Sequence, residues 1–427
     1  MTATLPAGAL LVGTLVLVLA RPWGLGRAWW AALGGGAAVV AGLVTPGQAV
    51  GVLSEAADPL VLLVGMMALS VAAERAGFFG WAASWAVRAG GGRTKRLFVL
   101  VFGVGCLTTA VFSLDATAIV LTPVVLGAVS RLNLRPLPFV FACVYAANTA
   151  SLFLPISNLT NLLAYGAFSP GFGRYALLML LPGALAVAAN LLVFARLFGR
   201  DLKGSYDPEE HRFSPENRAF FRLATGGIAA VLAAFFFAPL VGVPVGVVAL
   251  AAAALVVGGA WAKGWMGLGE AAGGVSWGVL VLVVGFFLVV RAAEGAGLGA
   301  LARAAYAAVG PGEGFSQILT VATGAALGSN LLNNLPATLL ALDAMGPPVS
   351  GGQLSPAAVY ATVVGTGVGS NLTAVGSLAT LIWLSVVRGR GVEVTARDIL
   401  KVGLISTPPI LAAASAGLWL SVRLFGA

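Results

Sequence analysis

Charge is what this sequence lacks most: Asp, Glu, Lys and Arg make up only 9% of its 427 residues, while 59% are hydrophobic. A water-soluble chain with that balance and a mean hydropathy of +0.99 would expose large apolar patches, so a soluble globular protein is excluded. Cysteine is scarce too. Cys106 and Cys143 both fall inside apolar runs, which rules out a disulfide framework and reads as two small packing residues. The single histidine, His211, sits in a polar segment, so no histidine relay crosses the apolar part of the chain. A Walker A sequence, a metalloprotease motif and a Gly-rich nucleotide fingerprint are all missing. No ATP hydrolysis by a recognised route, no enzyme activity and no cofactor are therefore expected. The alternation of an outer-membrane barrel is absent as well.

What is present is a series of apolar runs of about 17–25 residues, each long enough to cross a hydrocarbon core as a helix. Ten spans are expected, at about 6–20, 28–45, 59–75, 137–165, 174–198, 219–238, 242–261, 276–292, 354–385 and 398–424. The first lacks a basic n-region and a small-residue cleavage site, and reads as a span and not a cleaved signal peptide. Two further stretches, 97–130 and 315–346, are interrupted near their middles by "SLDAT" and "GSNLLNNLPAT". They read as re-entrant hairpins. With the N-terminus outside, twenty of the twenty-four Lys and Arg residues fall in inner loops, a strong positive-inside signal. The net charge of +9 is thus explained by the membrane, and a nucleic-acid partner is not expected. The expected location is the cytoplasmic membrane, with a multi-pass chain and both termini outside.

The two halves are alike. "LLVGMMALSVAAERAG" from Leu62 matches "LVVGFFLVVRAAEGAG" from Leu282, pairing Gly65 with Gly285, Glu74 with Glu294 and Gly77 with Gly297, a spacing of 297 − 77 = 220. "DATAIVL" at Asp115 lies opposite "NLPATLL" at Asn334 (334 − 115 = 219), and "SNLT" at Ser157 recurs at Ser370 (370 − 157 = 213). With five spans per half the second copy is inserted upside down. The expected fold is therefore all-α and polytopic, an inverted repeat with a hairpin and a broken helix in each half. Residues 1–198 form one repeat, 199–218 a cytoplasmic linker and 219–427 the other.

Helix-breaking, hydrogen-bonding residues at membrane depth are tolerated only where protein or a water-filled cavity covers them. Gly365, Gly367, Gly369 and Gly376 are expected to break the helix around Asn371, as Pro155 does near Asn158. Ser157, Asn158, Thr160, Asn161, Ser370, Asn371, Thr373 and Ser377 would then line a central cavity, met by Asp115 from one hairpin tip and by Asn330, Asn333 and Asn334 from the other. Ser, Thr and Asn also glue packed membrane helices, the plainer reading for an isolated Thr380. Asp115 is the most interior carboxylate, at a cost of at least ~2.5–3.5 kcal/mol, and is expected to couple protons. Glu74 and Glu294 lie near span ends beside Arg75 and Arg291, and read as snorkelling or paired groups.

"GSNLTAVGSLATLIWL", "SLDATAIVLTPVVL", "SNLTNLL" and "NNLPATLLA" together resemble the arsenite-efflux permease family of ArsB type. That family belongs to a wider superfamily that also holds NhaD-type sodium/proton antiporters and dicarboxylate transporters. The resemblance spans roughly residues 50 to 425. It implies export of arsenite and antimonite as neutral hydroxides in exchange for protons, in some members with a soluble ATPase subunit. Carried onto this sequence, the site falls on Asp115, Asn158, Asn161, Asn333, Asn334, Asn371 and Thr373, with Leu114 standing where a polar residue is expected. The absence of Arg or Lys near either broken segment speaks against a dicarboxylate or phosphate. A sodium/proton antiporter and, from another class, an ion channel stay open.

Overall fold

The computed structural model describes residues 4–168, 171–208 and 213–426. His211 and Arg212 of the charged loop lie outside the described residues. Among the described residues the chain is helical, with no strand. The first half holds α1 (Thr4–Ala20), α2 (Arg27–Val40), α3 (Pro46–Arg75), α4 (Phe78–Ala89), α5 (Thr94–Val111), α6 (Leu114–Ala116), α7 (Thr122–Arg131), α8 (Pro136–Ala150), α9 (Leu159–Phe168) and α10 (Phe172–Leu197). The second holds α11 (Arg218–Phe237), α12 (Val245–Ala262), α13 (Leu268–Gly274), α14 (Trp277–Gly295), α15 (Leu298–Ala307), α16 (Phe315–Leu332), α17 (Asn334–Ser350), α18 (Ala357–Val368), α19 (Leu378–Gly389) and α20 (Ala396–Phe425). Among the described residues nine helical stretches are long and apolar enough to cross a membrane. This is an all-α, multi-pass membrane protein.

Local chemistry sets several boundaries that hydropathy missed. α3 starts thirteen residues before the expected span, because Thr45 and Gln48 form a reciprocal capping box and Pro46 occupies the first turn, where a missing N–H costs nothing. Thr395 and Asp398 start α20 in the same way. The short amphipathic helices α4 and α15 were not expected at all. Each follows a left-handed glycine that turns the chain sharply off a long helix, Gly77 at φ 86° and Gly297 at φ 107°, the pair matched in the two halves. The polar connection after α10 is tied down: the Tyr206 hydroxyl donates to the Val87 carbonyl at 2.6 Å, and Arg135 pairs with Asp201.

The halves exchange helices. α2 packs on α14, and correspondingly α12 packs on α3; α5 lies against α8 as α16 lies against α18, and α10 runs along α20. Close approach explains the repeat-matched glycines inside the long helices. A Cβ at Gly65 would sit 2.6 Å from the Ala249 carbonyl carbon, and one at Gly285 would collide with Ala31. At the centre stand the two broken helices. Every residue of α18 is buried, and so is all of α8 from Pro138 to Ala150. Lipid meets the apolar faces of peripheral helices instead, as at Val40, Leu240 and Leu255.

This packing predicts opposite outcomes for two glycines. Gly65→Ala should lower the thermal midpoint by the equivalent of about 1–3 kcal/mol, since the obstructing atoms are backbone. Gly103→Ala, on the open face of α5 with nothing within 4 Å, should leave the midpoint unchanged or raise it. Melting curves of the detergent-purified variants decide; equal midpoints would remove the close α3–α12 contact.

Candidate functional site

Each break frees backbone groups that nearby side chains take up. In the first, α8 ends at Ala150 and Pro155 has no N–H to continue a helix. The Asn161 amide donates to the Ser151 carbonyl at 2.5 Å and the Leu154 carbonyl at 3.3 Å. Asn158 Oδ1 accepts from the Thr160 N–H at 3.2 Å and so starts α9, while the Ser157 hydroxyl donates to the Ala110 carbonyl of α5 at 3.0 Å. The first break is thereby stitched to the first hairpin.

The second break is stitched to the second hairpin. Asn330 of α16 donates to the Ala326 and Gly369 carbonyls, both at 2.8 Å, and its Oδ1 accepts from the Thr373 hydroxyl at 2.8 Å. Ser370 donates to the Gly367 carbonyl at 2.7 Å, and Ser377 caps α19 by accepting from the Ala379 N–H at 3.2 Å. At the hairpin tip Asn333 donates to the Val375 carbonyl at 2.8 Å, and the Asn334 N–H donates to the Gly376 carbonyl at 2.9 Å. Asn333 holds φ 74° and ψ 153°, a region nearly reserved for glycine that costs of order 1–3 kcal/mol. The clip to Val375 holds it there.

The glycines of the second break work differently from expectation. Gly365 and Gly367 lie inside α18, and neither they nor Gly369 and Gly376 take left-handed backbone. Gly365 and Gly369 instead let α18 press against Ala325 and Ala326 of α16. Small size, not backbone freedom, is what this stretch uses.

Five of the twelve residues singled out in the sequence meet at one cavity of about 40 Å³: Asp115 from the first hairpin, Asn158 and Thr160 from the first break, Asn334 from the second hairpin and Ser377 from the second break. The rest of its wall is apolar, chiefly Leu63, Leu282 and Val283, and it holds no Lys or Arg. Ser157, Asn161, Asn330, Asn333, Ser370, Asn371 and Thr373 do not line it and bond to backbone or neighbouring side chains. Asp115 sits half-buried in the first turn of α6, behind a Ser113 cap, and its carboxylate has no hydrogen-bond or ion-pair partner among the described residues. Just beyond it the helix widens, with the Thr122 N–H reaching back five residues to the Thr117 carbonyl, a distortion common at functional sites.

A larger chamber of about 590 Å³ adjoins the same elements. Leu159 of α9 and Leu335 of α17 line the small cavity; Leu162 and Leu339, about one turn further on, line the chamber. Its wall carries Glu55, Asp58, Arg291, Glu294 and Asp343. Arg291 reaches Glu55 at 3.4 Å, Glu294 at 3.6 Å and Asp343 at 4.0 Å, and Arg303 reaches Asp343 at 3.6 Å. Glu294 is thus paired as read from sequence, whereas Arg75 pairs with Glu270 and not with its neighbour Glu74.

The sequence profile described as "Arsenical pump membrane protein" matches residues 7–422. This chain belongs to the arsenical pump membrane protein family. It is 31% identical over 414 residues to the arsenical pump membrane protein of Escherichia coli strain K12, covering 95% of this chain and 96% of that protein. An uncharacterised transporter of Mycobacterium tuberculosis is 27% identical over 376 residues, covering 85% and 86% of the two chains. Among solved structures the YdaH transporter of Alcanivorax borkumensis superposes with a TM-score of 0.61 at 18% identity, covering 88% of each chain. That last likeness is one of fold.

Sequence reasoning passed over Asn148 and Tyr145, which reach the second break from outside it, and Ser406 behind them. Asn148 Nδ2 donates to Asn371 Oδ1 at 2.9 Å and to the Thr380 hydroxyl at 3.1 Å. Tyr145 donates to the Asn371 carbonyl at 3.3 Å and is itself bonded to Ser406 of α20 at 2.9 Å. A lone carboxamide in the apolar run "VYAANTAS" was the available signal.

The two kinds of asparagine should separate experimentally. Asn330→Ala strands the Gly369 carbonyl and the Thr373 hydroxyl and should cost about 1–3 kcal/mol of stability, read as a lowered melting midpoint. Asn158→Ala loses one cap, about 1 kcal/mol, and should melt closer to the unaltered protein. A larger loss at Asn158 would contradict this division.

Proposed function

We propose that the protein is a secondary active transporter that exports arsenite and antimonite, as neutral hydroxides, in exchange for protons. The observation that carries this reading is the cavity wall, which in a member of the arsenical pump family combines two carboxamides, two hydroxyls and one unpaired carboxylate with no cation. Arsenous acid is a small pyramidal trihydroxide, neutral at pH 7, and each hydroxyl both donates and accepts. Asn158, Thr160, Asn334 and Ser377 offer both functions. Without Lys or Arg the cavity has nothing to attract an oxyanion such as a dicarboxylate or phosphate. Asp115 is the proton carrier in this scheme: ionised, it accepts from a substrate hydroxyl; protonated, it loses that bond, so substrate and proton occupy the site in turn.

The cavity, on the ~10–15 Å³ that a water molecule needs, has room for a few waters at most, so loading the substrate requires it to widen. The halves 1–198 and 219–427, joined by 199–218, act as inverted repeats that rock about this point, with each hairpin moving together with the break it is stitched to. Both termini lie outside the cytoplasmic membrane in this arrangement, and the chamber around Arg291 opens outward. Some members of the resembled family take a soluble ATPase subunit; transport by this chain alone, driven by a pH gradient, tests whether one is needed.

Everted vesicles offered arsenite, antimonite, Na⁺ and Li⁺ side by side test the substrate. Accumulation of arsenite and antimonite on acidifying the lumen supports the proposal. Movement of Na⁺ or Li⁺ alone replaces it with a sodium/proton antiporter, and unitary currents in planar bilayers replace it with a channel.

Asp115→Asn keeps the shape and removes the titratable group, so uphill arsenite transport should fall at least tenfold while exchange of labelled for unlabelled arsenite persists. Undiminished uphill transport would remove Asp115 from the mechanism. Replacing Cys106 and Cys143 together by Ala should leave the arsenite rate within about twofold, because the carrier recognises hydroxyls and makes no arsenic–sulfur bond. Loss of transport in a well-folded double variant would overturn hydroxide recognition.

A further inference from the structure

The two breaks are related by sequence and yet held differently. The second is anchored from the opposite half of the chain: Asn148 of α8, 2% exposed, donates to both Asn371 and Thr380, and Tyr145 one turn earlier takes the Asn371 carbonyl. The tripeptide "VYA" at Val144 recurs at Val359 (359 − 144 = 215), which sets Asn148 opposite Val363 and Tyr145 opposite Tyr360, and among the described residues neither Val363 nor Tyr360 bonds to the first break. Among the described residues the Asn158 side chain accordingly has only the local bond from the Thr160 N–H, and it lines the cavity. On Asn371 the carboxamide oxygen is taken by Asn148, while its nitrogen is buried without a partner among the described residues. That geometry fixes which end of the Asn371 amide is left over. It also sets the start of a short turn that ends at Ser377, the group this break contributes to the cavity.

We infer that Asn148 is a positioning residue for transport, fixing the second break through Asn371 so that this side of the cavity is a preset wall and the first break, at Asn158, is the adaptable one. The inference rests on the transport reading above. Asn148 touches neither cavity nor substrate, and it acts through Asn371 and Thr380.

The test is initial-rate arsenite uptake in proteoliposomes under a fixed pH gradient, with melting midpoints and gel-filtration profiles recorded for each variant. Asn148→Ala should raise KM for arsenite about 5- to 30-fold, the effect of losing a buried hydrogen bond or two. Asn148→Asp should restore KM to within about threefold, because a carboxylate accepts from the leftover Asn371 nitrogen and from the Thr380 hydroxyl. The double variant Asn148→Ala/Asn371→Ala should lose less than the sum of the two single losses, since both changes remove the Asn148–Asn371 linkage. Tyr145→Phe deletes only the hydroxyl on the Asn371 carbonyl, and a raised KM there gives the same answer if Asn148→Ala does not fold. An unchanged KM in Asn148→Ala or Tyr145→Phe, additive effects in the double variant, or failure of Asn148→Asp to rescue each overturns the inference. If the unaltered protein moves Na⁺ and no arsenite, the function proposal fails, and the same series read by Na⁺ uptake still judges Asn148.

Discussion

In hydrocarbon an unpaired backbone amide or carbonyl has no water to turn to, and this constraint shapes the whole molecule. Two helices are broken to make a polar cavity, so two sets of freed groups must be satisfied by protein. The chain meets the demand by burying α18 and the run of α8 from Pro138 to Ala150, and by surrounding the breaks with Asn, Ser and Thr. Asn161, Asn330 and Asn333 each spend their amide on backbone carbonyls that a continuous helix would have satisfied internally. The peripheral helices, α2 on α14 and α12 on α3, then screen this centre from lipid.

Stitching has a mechanical consequence. Because the Ser157 hydroxyl ties the first break to α5, and Asn330 and Asn333 tie the second break to the second hairpin, each hairpin and its break act as one body in the mechanism proposed above. The cavity lies where the two bodies meet, between Asp115 and Asn158 on one side and Asn334 and Ser377 on the other. On the transport reading proposed above, a site placed there changes shape when one body moves against the other, a motion that the bonds from Asn148 and Tyr145 of α8 to Asn371 must accommodate.

The halves also differ in chemistry where they agree in pattern. Asp115 has Asn334 as its counterpart, so only one hairpin tip carries a carboxylate, and Asn148 has Val363, so among the described residues only the second break is anchored in this way across the repeat. The ion pairs at the chamber are one-sided as well, with Arg291 matched at the repeat spacing of 220 by Val71. The sequence repeat supplies the matched positions, and on the reading proposed above the departures from it assign the roles.

Membrane residence and the first break were legible in the sequence, because composition, run length and Pro act locally; the second break was placed correctly, but its glycines serve close packing and not backbone freedom. The family was legible too, since its motifs are contiguous. Asp115, Asn158, Thr160, Asn334 and Ser377 were recognised as site candidates, but nothing in the sequence separated them from Asn161, Asn330 or Asn371, which have the same side-chain chemistry and bond elsewhere. Asn and Ser serve equally as helix glue and as cavity lining. Which of the two a residue does depends on what lies opposite it. Asn148 and Asn371 are 223 positions apart, and only the packing of α8 against the second break brings their carboxamides within 2.9 Å. The sequence by itself determined the class of molecule, the repeat and the set of polar groups; the tertiary structure decided which of them face the cavity, because partner choice is a property of contacts between elements distant along the chain.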